Sequence, residues 1–386
     1  MKVKQIYELV NKTVEEVTGK SDLVQEDLSN IVDVGKEIIS TDNVDNYVKK
    51  LVNRIGKVIF DNRVYKGNVP SVLMDSWEFG SILQKITADL PHAYENESWN
   101  LEDGVTYNQD IFYQPKVSAK FYNSKVTFEI PVSFTERQVK ESFANREQLS
   151  AFMNMIFNAV QNAMTLKLDN LVMRAINNMT AETMLHDLKG DDGIDLTQTG
   201  NKAINLLKLY NEQFGTSLTV NEALTNAEFI RYSSYIINLY KDRLTRVSTL
   251  FNIGGKERFT PESDMTVVLL SDFSSAINTF FVSDVFNKEM ITLPKFETVP
   301  YWQGSGLNYE FSDVSRIHVK TTSNEVVDVS GVIGVMFDKR AVGVANLDKR
   351  VTTNYNAKAE FYTNFYKLDA GYFNDLNENF IVLFMG

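Results

Sequence analysis

The chain has 386 residues, 44% of them hydrophobic and 23% charged, with a net charge of −11 and no cysteine. That balance describes a folded chain with room for two or three packed units, and it excludes disulfides, thiolate catalysis and cysteine-held metal centres. No apolar run approaches the ~20 residues of a membrane helix, and the acidic excess is the opposite of what an electrostatic grip on nucleic acid requires.

The first sixty residues read as an arm. Ile6, Val10, Val14 and Val17 sit at helical spacing until Gly19 breaks the pattern. Thr41-Asp42 can cap a second helix carrying Val44, Tyr47, Val48, Leu51, Val52 and Ile55. Both helices are amphipathic and too small to form a core, so they must dock on the body or on a neighbour. A mixed segment with Trp77 and Phe79 follows.

From Val126 the chain alternates strictly: Val126, Phe128, Ile130, Val132 and Phe134 are apolar, with Thr127, Glu129, Pro131 and Ser133 between them. Period two gives one buried and one wetter face. Upstream, Val117, Ala119 and Phe121 alternate in the same way. A two-residue turn at Asn123-Ser124 would set Phe121 opposite Val126, Ala119 opposite Phe128 and Val117 opposite Ile130. Pro131 cannot donate a ladder hydrogen bond and suits an edge strand. A lone two-stranded ribbon is marginal in water, so its apolar face needs a partner, on this subunit or on another. The expected intersubunit contacts are therefore Val117, Ala119, Phe121, Tyr122, Val126, Phe128 and Ile130.

Next comes a long helix. Leu149, Phe152, Met153, Ile156, Phe157, Val160, Met164, Leu168, Leu171, Val172, Ala175, Ile176 and Met179 recur at steps of mostly three and four, with no Gly or Pro among them. From Asn145 to Met179 it would span about 50 Å at ~1.5 Å per residue. Around Gly190-Asp191-Asp192-Gly193 the texture changes to alternating helices and strands, which marks a boundary. Thr219 with Glu222, and Thr225 with Glu228, both match a capping box. Thr266–Leu270 reads as a buried strand and Ser271-Asp272 as the cap of the next helix. Val329–Met336 reads as one strand in which Gly331 and Gly334 admit close backbone approach. Tyr355, Ala357, Ala359, Phe361 and Phe365 alternate again, and Phe380–Phe384 is a final buried strand.

Chemistry is sparse. His92, His186 and His318 are far apart and lack any ligand spacing. Asp191-Asp192-Gly193-Ile194-Asp195 lacks the terminal acid of a calcium loop and reads as a surface turn. Gly254-Gly255-Lys256 lacks the phosphate-loop spacing. No catalytic residue, cofactor or metal ligand is assigned, and no constellation argues for an enzyme.

The order of parts resembles the major capsid proteins of tailed bacteriophages. Three stretches carry the likeness, and they are similar to the small short-tailed (podovirus) phages of Gram-positive hosts: ENESWNLEDG (Glu95–Gly104), AKFYNSKVTFEIPVSFTERQVKESF (Ala119–Phe143) and RVTTNYNAKAEFYTNFY (Arg350–Tyr366). The resemblance implies an α+β fold with an N-terminal arm (1–60), a first part of the peripheral domain (61–94), an extended β-hairpin loop (95–134), a peripheral domain with a spine helix (135–190), an axial domain (191–344) and returning peripheral strands (345–386). It implies a structural head protein that forms pentamers and hexamers of an icosahedral shell around phage DNA, located in the virion and assembled in the bacterial host cytoplasm. The implied partners are further copies of the chain, a separate scaffolding protein (the arm being short for a fused one), a portal protein, and head fibre or decoration proteins. Packaged DNA would be touched non-specifically at most, and no membrane is involved. Some members crosslink a ribbon lysine to a neighbour's asparagine; Lys116, Lys120 and Lys125 lie where such a donor would, but non-covalent packing is the expectation. Two other readings stay open: an encapsulin-type compartment around a cargo enzyme, and a soluble α/β enzyme with an unrecognised site.

Overall fold

The computed structural model describes residues 3–18, 24–25, 34, 70–74, 83–107, 110–135, 146–190, 193–282, 294–303, 310–322 and 324–386. The helices are α1 (Val3–Thr18), α2 (Arg146–Leu188), α3 (Leu206–Phe214), α4 (Val220–Ala223), α5 (Ala227–Leu244), α6 (Ser271–Val282) and α7 (Phe311–Val314). The strands are β1 (Leu73–Met74), β2 (Leu83–Ala88), β3 (Val117–Tyr122), β4 (Lys125–Thr135), β5 (Lys189–Gly190), β6 (Gly193–Ile194), β7 (Ala203–Asn205), β8 (Met265–Leu270), β9 (Glu297–Val299), β10 (Ile317–Lys320), β11 (Val326–Val329), β12 (Val332–Asp338), β13 (Val342–Asn356), β14 (Phe361–Asn374) and β15 (Phe380–Phe384). The helix expected after Thr41 lies outside the described residues.

Helix α2 runs 43 residues, nine past the expected end at Met179, because Ala181, Met184 and Leu188 keep the apolar stripe going. At ~1.5 Å per residue it is about 65 Å long. Its stripe from Val160 to Leu188 is buried and packs on the inner face of a four-stranded sheet ordered β1-β13-β14-β4. Val10 and Val14 of α1 join the same cluster, so this part of the arm docks on its own body.

A five-stranded sheet, β7-β15-β12-β8-β9, forms a wall between two clusters. Strand β15 shows how the wall works. Phe380, Val382 and Phe384 face the cluster that holds α2, while Ile381 and Leu383 face a second cluster under α3, α5 and α6. A strand covered on both sides needs a continuous apolar run, which is why Phe380–Phe384 lacks alternation. Strand β8 divides the same way, with Val268 and Leu270 on one side and Val267 and Leu269 on the other. The last strand therefore sits in this central sheet and not beside the returning strands β13 and β14, where it was expected.

Two other expectations change. Val329–Met336 is not one strand: β11 ends at Val329 and β12 begins at Val332. Gly331 makes the corner at φ +82°, and a Cβ there would lie 2.0 Å from the Met385 carbonyl oxygen. Gly331→Ala is expected to cost more than about 1 kcal/mol, read as a lower denaturation midpoint, since both the conformation and the space exclude a side chain. The run from Tyr355 to Phe365 is likewise two strands. Asn356 Oδ1 accepts from the Lys358 and Ala359 amides at 3.1 Å each, Glu360 adopts φ +51°, and β13 folds back as β14.

Caps fall close to their predicted places. Thr219 and Glu222 form the expected capping box. Helix α5 is capped by Asn226, which accepts from the Phe229 amide at 3.0 Å, one residue past the predicted Thr225. Trp302 is fully buried between the layers: its indole donates to the Val332 carbonyl at 2.8 Å, and its own carbonyl accepts from Asn177 of α2 at 2.8 Å.

Candidate assembly surface

The expected β3–β4 hairpin does not form. Strand β3 pairs antiparallel with β2, from Leu83↔Tyr122 to Ala88↔Val117, while β4 pairs with β14, from Phe361↔Thr135 to Gly371↔Lys125. Asn123-Ser124 is thus a corner between two sheets. Alternation fixes which face of a strand is buried but not which strand lies beside it, so a hairpin and a corner leave the same pattern. Pro131 does lie on an edge strand, β4 being the margin of its sheet.

The corner divides the seven expected contact residues. Val126, Phe128 and Ile130 are half-buried and pack on the subunit's own core. Tyr122 is half-buried with its ring 4.9 Å from that of Phe373. Val117, Ala119 and Phe121 are exposed, Val117 by 60% and Phe121 by 64%.

The β2–β3 ribbon is turned opposite to an ordinary surface hairpin. Its outward face pairs Gln84 with Phe121, Ile86 with Ala119, and Ala88 with Val117. Its inward face pairs Leu83 with Tyr122, Lys85 with Lys120, and Thr87 with Ser118. Apart from the Leu83–Tyr122 root the inward residues are polar, and apart from Gln84 the outward ones are apolar, with Ile86 63% exposed. Between the strands, the segment 89–116 carries further exposed apolar groups: Tyr94, Trp99, Leu101, Ile111, Phe112 and Tyr113. Trp99 is 92% exposed and Phe112 85%. A monomer rarely presents such a surface unless something covers it.

Besides the packing of Tyr122 on Phe373, ion pairs hold the ribbon to the body. Lys85 and Lys120 stand directly opposite one another, a destabilising like-charge pair in isolation. The turn between β14 and β15 resolves it. Asp375 accepts from Lys85 at 2.6 Å and from Lys120 at 2.7 Å, and Glu378 accepts from Lys85 at 2.7 Å. The two carboxylates are 2% and 5% exposed. Arg258 lies 3.7 Å from Glu378, and Lys256 reaches Asp89 at 3.2 Å. Burial would raise the Asp375 carboxyl, but hydrogen bonds from Lys120 and Lys85, the Lys85 charge and the Asn377 amide outweigh it and hold the group below its usual range. A depressed pKa stabilises above the unfolded value and is lost as pH falls through the folded one. The latch is therefore expected to stay closed at neutral pH and to loosen only below about pH 4, measured as hydrogen exchange at the β2 amides.

Lys85, Asp375 and Glu378 were not legible as a group, because about 290 residues separate Lys85 from its partners. Of the three ribbon lysines, Lys120 is held in this latch, whereas Lys116 and Lys125 are exposed. No group of three or more His, Asp or Glu side chains could hold a metal among the described residues, and no helix among them is long and apolar enough to cross a membrane.

Residues 10–384 match the family model of the Phi29-like phage major capsid protein. The chain belongs to that family. It is accordingly a structural shell protein of the phage head and a virion component, in a family of capsid subunits and not of enzymes. No curated protein matches the chain. Among solved structures it is similar to the capsid of Staphylococcus phage Andhra at 13% identity, covering 84% of this chain and 86% of that one, with a TM-score of 0.45. It is similar to the capsid of cyanophage P-SCSP1u at 13% identity, 84% and 91% coverage and a TM-score of 0.45. A chain of native bacteriophage P68, from a structure of head fibre and inner core protein gp22, matches at 9% identity, 84% and 88% coverage and a TM-score of 0.46. These likenesses are remote, and the assignment rests on the family model.

Proposed function

We propose that this subunit builds pentamers and hexamers of an icosahedral head, and that the β2–β3 ribbon with its 89–116 tip is the element that reaches a neighbouring copy. One observation carries the proposal: the ribbon turns its polar face to its own body and its apolar face, Ile86, Val117, Ala119 and Phe121, to solvent. Burying such a face contributes about 25 cal/mol per Å², and the gain repeats at every subunit of a closed lattice.

The remaining assignments follow the same reading. Residues 135–190 with strands β13 and β14 form the peripheral domain around α2. Residues 191–344 form the axial domain, to which β15 is added. Assembly takes place in the cytoplasm of the bacterial host with a separate scaffolding protein and a portal, on a short-tailed phage of a Gram-positive host, and head fibres or decoration proteins attach to the finished shell. The family favours a phage head over a cargo compartment. Negative-stain microscopy of the protein expressed with its scaffold is the test. Closed shells or rings are expected; a strictly monomeric protein at high concentration would overturn the proposal.

A further inference from the structure

The turn between β14 and β15, residues 375–379, holds more than the ribbon. On one side Asp375 accepts from Lys85 and Lys120, and Glu378 accepts from Lys85. On the other side lies the loop after α5, residues 245–260. The Gly254 amide donates to the Leu376 carbonyl at 2.8 Å, and the Asn379 side chain donates to the Thr260 hydroxyl at 3.2 Å. Arg258 stands 3.7 Å from the same Glu378 oxygen that accepts from Lys85. One short turn thus carries both the root of the ribbon and the anchor of this loop.

The two sides communicate through the middle of the turn. Asp375 Oδ1 accepts from Lys120 and also from the Asn377 amide, at 2.7 and 3.1 Å, so the carboxylate that receives the ribbon also shapes the turn. The Asn377 side chain lies over Gly254, where an added Cβ would fall 1.9 Å from Asn377 Oδ1. The contacts therefore run from Lys85 and Lys120 to Asp375, to Asn377 and to Gly254. The ends of the turn are fixed from behind: the Asp375 amide donates to the Ala341 carbonyl at 2.7 Å, and the Asn379 carbonyl accepts from the Asp338 amide at 3.0 Å. With the lysines seated, the carboxylates stay buried. Without them, a buried and uncompensated carboxylate turns toward water, and Asp375 releases the Asn377 amide as it does so.

The loop responds as a unit. The Thr260 amide donates to the Leu244 carbonyl at 2.8 Å and closes its base. Ser248 and Arg258 bridge it with hydrogen bonds of 2.9 and 3.0 Å, and the Asn252 side chain bonds both the Lys256 carbonyl and its amide, at 2.7 and 2.8 Å. A shift at Gly254 is therefore felt at its exposed apolar residues, Val247, Leu250 and Phe259. Lys256 and Asp89 also join loop and ribbon directly at 3.2 Å, but both are more than a third exposed, and such a pair contributes little.

We propose that the 375–379 turn couples the ribbon root to the 245–260 loop, so that the two lock and loosen together. Ordering one lowers the cost of ordering the other, which is positive cooperativity inside one subunit. The coupling does not depend on what either surface meets in the shell.

Hydrogen exchange of the full-length subunit tests it in both directions. Lys85→Met with Lys120→Met is expected to speed exchange of the Ser248, Gly254 and Arg258 amides about 10-fold. Gly254→Val displaces Asn377, and Thr260→Val takes away the acceptor of Asn379 without changing shape. Because coupling is reciprocal, each should speed exchange of the β2 amides by about the same factor. Adding Thr260→Val to the lysine pair should raise β2 exchange no further than the lysine pair does alone. Asp89→Asn removes the direct ion pair and should change β2 exchange less than about 2-fold. An effect of Asp89→Asn as large as that of Thr260→Val would move the coupling out of the turn and overturn the proposal. Faster exchange confined to the altered side in both directions, or additive effects in the combination, would overturn it too. So would a rise shared equally by the β12 amides, which would mean loss of the whole fold and not of one linked pair.

Discussion

Phe121→Asp is expected to abolish shell assembly while leaving the subunit folded. Phe121 is 64% exposed and faces Gln84 across the ribbon, so a charge there touches little of its own subunit. Surface substitutions of this kind usually stay within about 0.5 kcal/mol of the parent. In the lattice the same carboxylate would be buried without a partner, at a cost of several kcal/mol at every contact. Phe128→Asp separates the two effects. Phe128 packs on the core cluster and stands opposite Leu368, so its replacement should lower the stability of the subunit itself, by roughly 2–4 kcal/mol. Denaturation midpoints of the two variants, set beside light scattering for assembly, read both quantities. Equal destabilisation would mean that the outward face of the ribbon packs within its own subunit.

The second large effect belongs to Asp375→Asn. Removing one charge of a buried ionic cluster costs about 3–5 kcal/mol, because the partners are left uncompensated. Here the loss leaves Lys85 and Lys120 facing one another, with Glu378 as the remaining acid near Lys85. The penalty should fall on the docking of the ribbon and not on the sheets, whose cores lie elsewhere. Exchange of the β2 amides is expected to rise about 100-fold or more, with the amides of β12 and β15 unchanged. A uniform rise across all strands would show that the cluster supports the whole fold. Assembly should suffer too, because a ribbon freed at its root reaches its neighbour in many orientations instead of one.

Long elements were readable in the sequence where one physical rule governed them. The stripe from Val160 to Met179 foretold α2, and the same rule would have carried it to Leu188, since Met184 and Leu188 continue the spacing. The alternation from Val126 to Phe134 foretold a buried face for β4. It did not foretell β14 as the partner, because pairing depends on residues more than two hundred positions away. Strand β2, with Lys85 at its centre, has no clean alternation, so the pattern alone points to β3 and β4 as the ribbon. The latch explains the broken pattern. A lysine is unfavourable in the middle of a packed ribbon until Asp375 and Glu378 are folded against it. The turn at Ala357–Glu360 was hidden by an alternation that happens to run on through it.

The central claim is that the outward face of the β2–β3 ribbon is covered by a neighbouring copy. A cryo-microscopy map of assembled particles tests it most directly. The account predicts Ile86, Val117 and Phe121 buried against a second copy, with Lys85 and Lys120 still on Asp375 of their own. A ribbon standing free above the lattice, or folded back so that Phe121 packs on its own subunit, would contradict it.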